Sequence, residues 1–168
     1  CISCWYNDRT NWRKRWWKIE ENIVFKTIKE NVTAEITEKK SRFIANIFYV
    51  ESVEEAENYI KQVKKKYGDA RHNCFAYAIE VGNGGIAVKY NDDGEPSGTA
   101  GAPILKMILE KGLSNILVVV TRYFGGILLG TGGLVRCYSG ATEEALKKAE
   151  IIQKTMGYEA KINVDYSN

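Results

Sequence analysis

The chain has 168 residues, 45% of them apolar and 27% charged, with a net charge of +3 at neutral pH. That length suits one well-buried domain, and no apolar run approaches the ~20 residues that cross a bilayer as a helix. Arg9, Arg13, Lys14, Arg15 and Lys18 against Asp8 alone give residues 1–18 a charge of +4 and leave −1 for the rest, so the body of the chain is no nucleic-acid binder by bulk charge and any RNA contact needs a local patch.

The first stretch, CISCWYNDRTNWRKRWWKIEEN, holds all four tryptophans and shows no period. It lacks the continuous apolar core of a signal peptide. Two readings fit it. One is a basic arm that touches membrane or nucleic acid. The other, preferred, is translation of purine-rich DNA upstream of a start near Ile19 or Glu20. Residues 1–19 are therefore expected to be a leader, disordered or artefactual. Cys1 and Cys4 form half of a zinc motif with no second half. Cys74 and Cys137 lie in apolar contexts and read as buried thiols of a reducing cytoplasm.

NVTAEITEKK and SRFIANIFYV alternate apolar and polar residues, which predicts two antiparallel strands around a basic turn holding Lys39, Lys40 and Arg42. Ser52 and Glu55 form a capping box. The helix behind it turns Val53, Ala56, Tyr59, Ile60, Val63 and Tyr67 inward and ends near Gly68. HNCFAYAIEV and GIAVKY read as a hairpin around GNGG. After the loop NDDGEPSGTAG comes a helix with Ile104, Leu105, Ile108 and Leu109 on one side. NILVVVTRYF predicts a central strand buried on both faces. A third helix follows GGILLGTGG, with Leu134, Val135, Tyr138, Ala141, Ala145 and Ala149 inward. IIQKTMGYEAKINVDY has strand character. The order is ββαββαβαβ with mixed pairing, an α+β architecture with three main helices and not a doubly wound sheet.

Two loops share one design. DGEPSGTAGAP and YFGGILLGTGGLVR each bring small residues into a helix start, with Ser97 or Thr99 near the first cap position and Thr131 near the second. Free N–H groups at such a start bind anions, and Gly98, Gly125, Gly126, Gly130, Gly132 and Gly133 leave that backbone open. Arg122 and Arg136 flank the second loop, and Arg71 and His72 precede the third strand. Arginine forks suit phosphate oxygens. Together these residues predict an anion-binding cleft. The bland alternative is that the glycines serve packing and the hydroxyls only cap. Neither loop is a Walker A or a dinucleotide fingerprint.

Asp92, Asp93 and Glu95 form an acidic loop. It could hold Mg²⁺ or supply a base, but an acidic turn with side-chain caps is the simpler expectation. His72 and Cys74 lie two apart on one strand face, where a Cys–His dyad is geometrically conceivable. The apolar strand around Cys74 argues against it.

RHNCFAYAI, NDDGEPSGTAGAPIL and VVVTRYFGGILLGTGGLVRCYSGA, in that order and spacing, closely resemble the IMPACT/YigZ family. The likeness spans about 130 residues, from near Phe25 to near Ala149. It implies a two-layer βαβ sandwich like the second domain of small-subunit ribosomal protein S-five, here over residues 20–157. It also implies that residues 158–168 are the first strand of a ferredoxin-like second domain that is otherwise missing. Eukaryotic members of the family are linked to regulation of translation, and no catalytic assignment comes with the motifs. The expected function is a cytoplasmic, translation-associated binding module that contacts RNA or a ribosome-linked regulatory protein through the glycine and arginine cleft, with no cofactor and no membrane. The rival is an enzyme acting on a phosphorylated small molecule, with Mg²⁺ on the acidic loop. A peptidase is the weaker alternative.

Overall fold

The structure is a computed structural model that describes residues 24–81 and 85–155. The leader 1–19, most of the GNGG turn and the strand expected at 158–168 lie outside the described residues. The elements are β1 (Val24–Ile28), β2 (Val32–Glu38), β3 (Ser41–Tyr49), α1 (Val53–Lys66), β4 (His72–Val81), β5 (Gly85–Asn91), α2 (Gly101–Glu110), β6 (Ile116–Tyr123), α3 (Gly130–Lys148) and β7 (Ile151–Thr155).

The capping box forms as its spacing predicts. The Ser52 hydroxyl accepts the Glu55 N–H at 3.1 Å, and the Glu55 carboxylate reaches back to the Glu51 N–H at 2.9 Å. Acidic Glu54 and Glu55 in the first turn and Lys64, Lys65 and Lys66 in the last both suit the helix dipole.

Five strands form the main sheet in the order β2-β3-β6-β4-β5. All four of its pairings are antiparallel. The parallel contact that a mixed sheet implies is confined, among the described residues, to a bridge between Lys26 and Leu113. The continuous apolar run of β6 follows from its central place. Ile116, Val118 and Val120 face α2 and α3, while Leu117 and Val119 face α1. The sheet with the α2/α3 layer holds the larger core, and α1 covers part of the reverse face with Ala56, Ile60 and Val63.

β1 has no counterpart in the sequence reading. It pairs with β7 in a separate two-stranded sheet, and its Lys26 carbonyl accepts the Ser114 N–H at 2.9 Å. Three helical residues expected inside, Val53, Leu109 and Val135, are 37%, 46% and 37% exposed. No described helix is long and apolar enough to cross a membrane.

Strand register sets where the loops gather. Arg122 of β6 lies opposite both Phe43 and His72, and Tyr123 lies opposite Arg42. The end of β6 therefore shares one edge of the molecule with the start of β4, the β2–β3 turn and the start of α3.

Candidate functional site

The glycine-rich loop joins β6 to α3. A side chain on Gly125 would overlap the Lys40 carbonyl carbon and the Ser41 nitrogen, and the Gly125 N–H donates to the Ser41 hydroxyl at 3.2 Å. The loop is thus pressed against the β2–β3 turn. Gly130 opens the helix at φ 69°, where a side chain is disfavoured. Leu129 is the N-cap residue, without a side-chain cap, and Thr131 is exposed inside the first turn. This corrects the expectation that Thr131 caps the helix. Gly126 and Gly132 are exposed, while Gly133 is buried.

The first loop is not an open anion site. The Asp92 carboxylate already accepts the N–H groups of Gly98 at 2.9 Å, Ala100 at 3.1 Å and Gly101 at 2.8 Å. The protein supplies its own anion at the start of α2. Thr99 does not cap either, since its hydroxyl donates to the Pro96 carbonyl at 2.6 Å. Ser97 is exposed.

The other two carboxylates are also engaged. Asp93 takes the Lys64 ammonium at 2.7 Å and the Asn73 N–H at 2.8 Å. One oxygen of Glu95, Oε1, accepts Arg122 Nη1 at 2.6 Å and the Tyr138 hydroxyl at 2.9 Å, with His72 Nε2 4.0 Å away. His72 Nδ1 lies 2.9 Å from the Asp93 carbonyl. A carbonyl only accepts, so Nδ1 carries the proton. Among the described residues no group of three His, Cys, Asp or Glu side chains is placed to hold a metal ion.

Arg122 was expected to reach a ligand, and the structure places it otherwise. It is buried at 6% exposure, between the rings of Phe43 and Phe124, each 5.6 Å from its guanidinium carbon. Its charge is matched by Glu95 inside the protein. Arg71 is exposed just before β4.

Cys74 completes the buried group. Its S–H donates to the Asp92 carbonyl at 3.0 Å, with the Tyr138 oxygen at 3.3 Å. Burial, aided by the nearby carboxylates of Glu95, Asp93 and Asp92, pushes its thiol up to about 12. Burial likewise pushes the Tyr138 hydroxyl far up. A nucleophile needs the thiolate, and the hydrogen bonds of Cys74 go to Asp92 and Tyr138, whereas His72 meets Asp93 and Glu95.

A cavity of about 420 Å³ lies between the β2–β3 turn and the start of α3, bordered by Thr37, Glu38, Lys39, Leu129, Gly133 and Arg136. Lys39 and Arg136 are exposed, and among the described residues neither sits in an ion pair. Lys39 and Lys40 hold the left-handed region at φ 45° and 64°, a cost of roughly 1–2 kcal/mol per residue. Of the expected cleft, the structure brings together Gly133 and Arg136 and adds Lys39. Arg122, His72, Gly98 and Thr99 belong to the buried network or to the α2 start. Lys39 was legible only as part of a basic turn, and helical spacing marked Tyr138 as core without revealing its hydroxyl contact.

Residues 39–146 match the family model of the Impact N-terminal domain. The chain belongs to the IMPACT family. It is 42% identical over 141 residues to IMPACT family member YvyE of Bacillus subtilis, covering 84% of this chain and 64% of that one. It is 41% identical over 128 residues to IMPACT family member YigZ of Escherichia coli, covering 76% and 63%. The chain therefore spans somewhat less than two thirds of these relatives. A crystal structure of a hypothetical protein superposes with a TM-score of 0.74 at 39% identity, covering 79% of this chain and 64% of that one.

The buried pair yields a stability test. Glu95→Gln leaves the Arg122 charge buried without its partner and should cost about 3–5 kcal/mol in urea unfolding. Adding Arg122→Met should restore most of that loss. A double-variant loss equal to the sum of the Glu95→Gln and Arg122→Met losses would show that the two side chains act independently.

The thiol yields a pH test. Unfolded, Cys74 ionises near 9.0, whereas folded it keeps its proton up to about 12. Its contribution to stability is complete below pH 9.0 and fades as pH rises through that window. Tyr138 shifts in the same direction and adds the same sign. The urea midpoint should fall between neutral pH and ~pH 10.5, and Cys74→Ala should flatten that fall.

Proposed function

We propose that the domain acts in the cytoplasm as a binding module of translational control, and that RNA phosphate is recognised at the cavity beside α3. One observation carries this reading: Lys39 and Arg136, from two different elements, border the same cavity at the start of α3. The first N–H groups of α3 have no intrahelical partner. An anion between Lys39 and Arg136 meets two cations against the single carboxylate of Glu38, which borders the same cavity. Exposed Gly132 leaves the approach clear. The translational setting is what the family resemblance implies.

The alternative of an enzyme on a phosphorylated small molecule shares these cations and fits the cavity's size. It draws no support from Asp92, Asp93 and Glu95, each of which already accepts from protein donors. The peptidase reading has no observation behind it.

Fluorescence anisotropy with a labelled single-stranded RNA tests the proposal. Lys39→Ala with Arg136→Ala should weaken binding by at least about 2 kcal/mol, from charge-assisted bonds of about 1.5–3 kcal/mol each. The salt slope should fall by about one to two phosphate contacts. Unchanged affinity and slope in a folded double variant contradicts the reading. Metal-dependent turnover of a phosphate ester by the parent would favour the enzyme instead.

A further inference from the structure

Edge strands are usually protected by charge, proline, a bulge or a covering element. Among the described residues, β5 is an edge strand and carries little of this. It has no proline, and its one charged side chain, Lys89, is held by Glu57 of α1 at 2.7 Å. The opposite face presents Ile86, Val88 and Tyr90, each 48–49% exposed. These three lie opposite Glu80, Ala78 and Ala76 of β4, on the side of the sheet that α2 covers.

α2 covers that side only in part. It begins over the far end of β5, where a side chain on Gly101 would come within 2.8 Å of the Asn91 nitrogen. It runs back toward Ile86, which shares a cavity of about 320 Å³ with Leu109 and Gly112. Leu109 is itself 46% exposed. The result is an apolar shelf along the sheet edge, with β5 as floor and α2 as wall.

We infer that this shelf is an interface with a second copy of the chain, formed by antiparallel pairing of the two β5 strands. The shelf is self-complementary. A two-fold axis through Val88 sets Val88 against Val88, Ile86 against Tyr90 and Ala87 against Lys89, so no like charges meet. Spacing agrees as well. α2 packs on both β4 and β5, so the two α2 helices lie about two strand spacings apart, roughly 9.5 Å. Packed helices sit ~8–10 Å apart. Ile86, Val88, Tyr90 and Leu109 of both copies close the space between them.

Sedimentation velocity of the whole chain, from micromolar to sub-millimolar concentration, tests this directly. A reversible monomer–dimer equilibrium is expected, with Val88→Lys weakening it at least about tenfold. RNA affinity of the monomer should be unchanged by Val88→Lys, which separates this inference from the cavity beside α3. Hydrogen exchange on the parent chain avoids reliance on the variant. Amides of residues 86–90 should gain protection as concentration rises. A chain that stays monomeric throughout overturns the inference. So does a dimer that persists unweakened in folded Val88→Lys, or one that leaves β5 exchange unaltered.

Discussion

The contact between Arg122 and Glu95 organises one end of this molecule. It is an ion pair of 2.6 Å between side chains that are 8% and 3% exposed. Desolvating two charges is costly, and the attraction compensates only when geometry is good and further hydrogen bonds are made. The Tyr138 hydroxyl supplies one such bond, although Arg122 Nε has no partner. The pair therefore ties the 92–100 loop to β6, and through Tyr138 to α3. His72 sits against the same carboxylate and anchors the loop backbone through Asp93.

This arrangement divides the charges at that end into two classes. Asp92, Asp93, Glu95 and Arg122 are matched within the fold, so they shape the loops. Lys39 and Arg136 remain at the surface beside a helix start whose backbone is uncovered. An arginine's presence in a glycine-rich motif does not decide between these roles. Burial does: Arg122 is 6% exposed, whereas Arg136, nearly two turns into α3, is in solvent. The tight seat of Gly125 on the Lys40 backbone then places the two cations near one another, because it locks the loop before α3 onto the β2–β3 turn.

Local signals carried most of the fold. Alternation marked β2 and β3, the capping box marked α1, and the unbroken ILVVV marked a strand covered on both faces. β1 escaped because its five residues, VFKTI, give too short a pattern beside an irregular leader. The site was less legible for a physical reason. Asp92 caps α2 from nine residues away, at Gly101, so no cap spacing reveals it. A local hydroxyl, Thr131, looked like the cap of α3, yet the chain reaches that helix through Gly130 in a left-handed conformation. Charge pairing across 27 residues, as between Glu95 and Arg122, depends on the sheet register and has no sequence period.

On the proposed reading, anions meet the protein at the α3 start and not at the buried arginine. A heteronuclear NMR titration with single-stranded RNA reports on both places at once. Shifts are expected at the amides of Lys39, Gly132, Gly133 and Arg136, with the Arg122 side-chain Nε–H signal unmoved. A large shift of the Arg122 Nε–H signal, with the first turn of α3 silent, would contradict it.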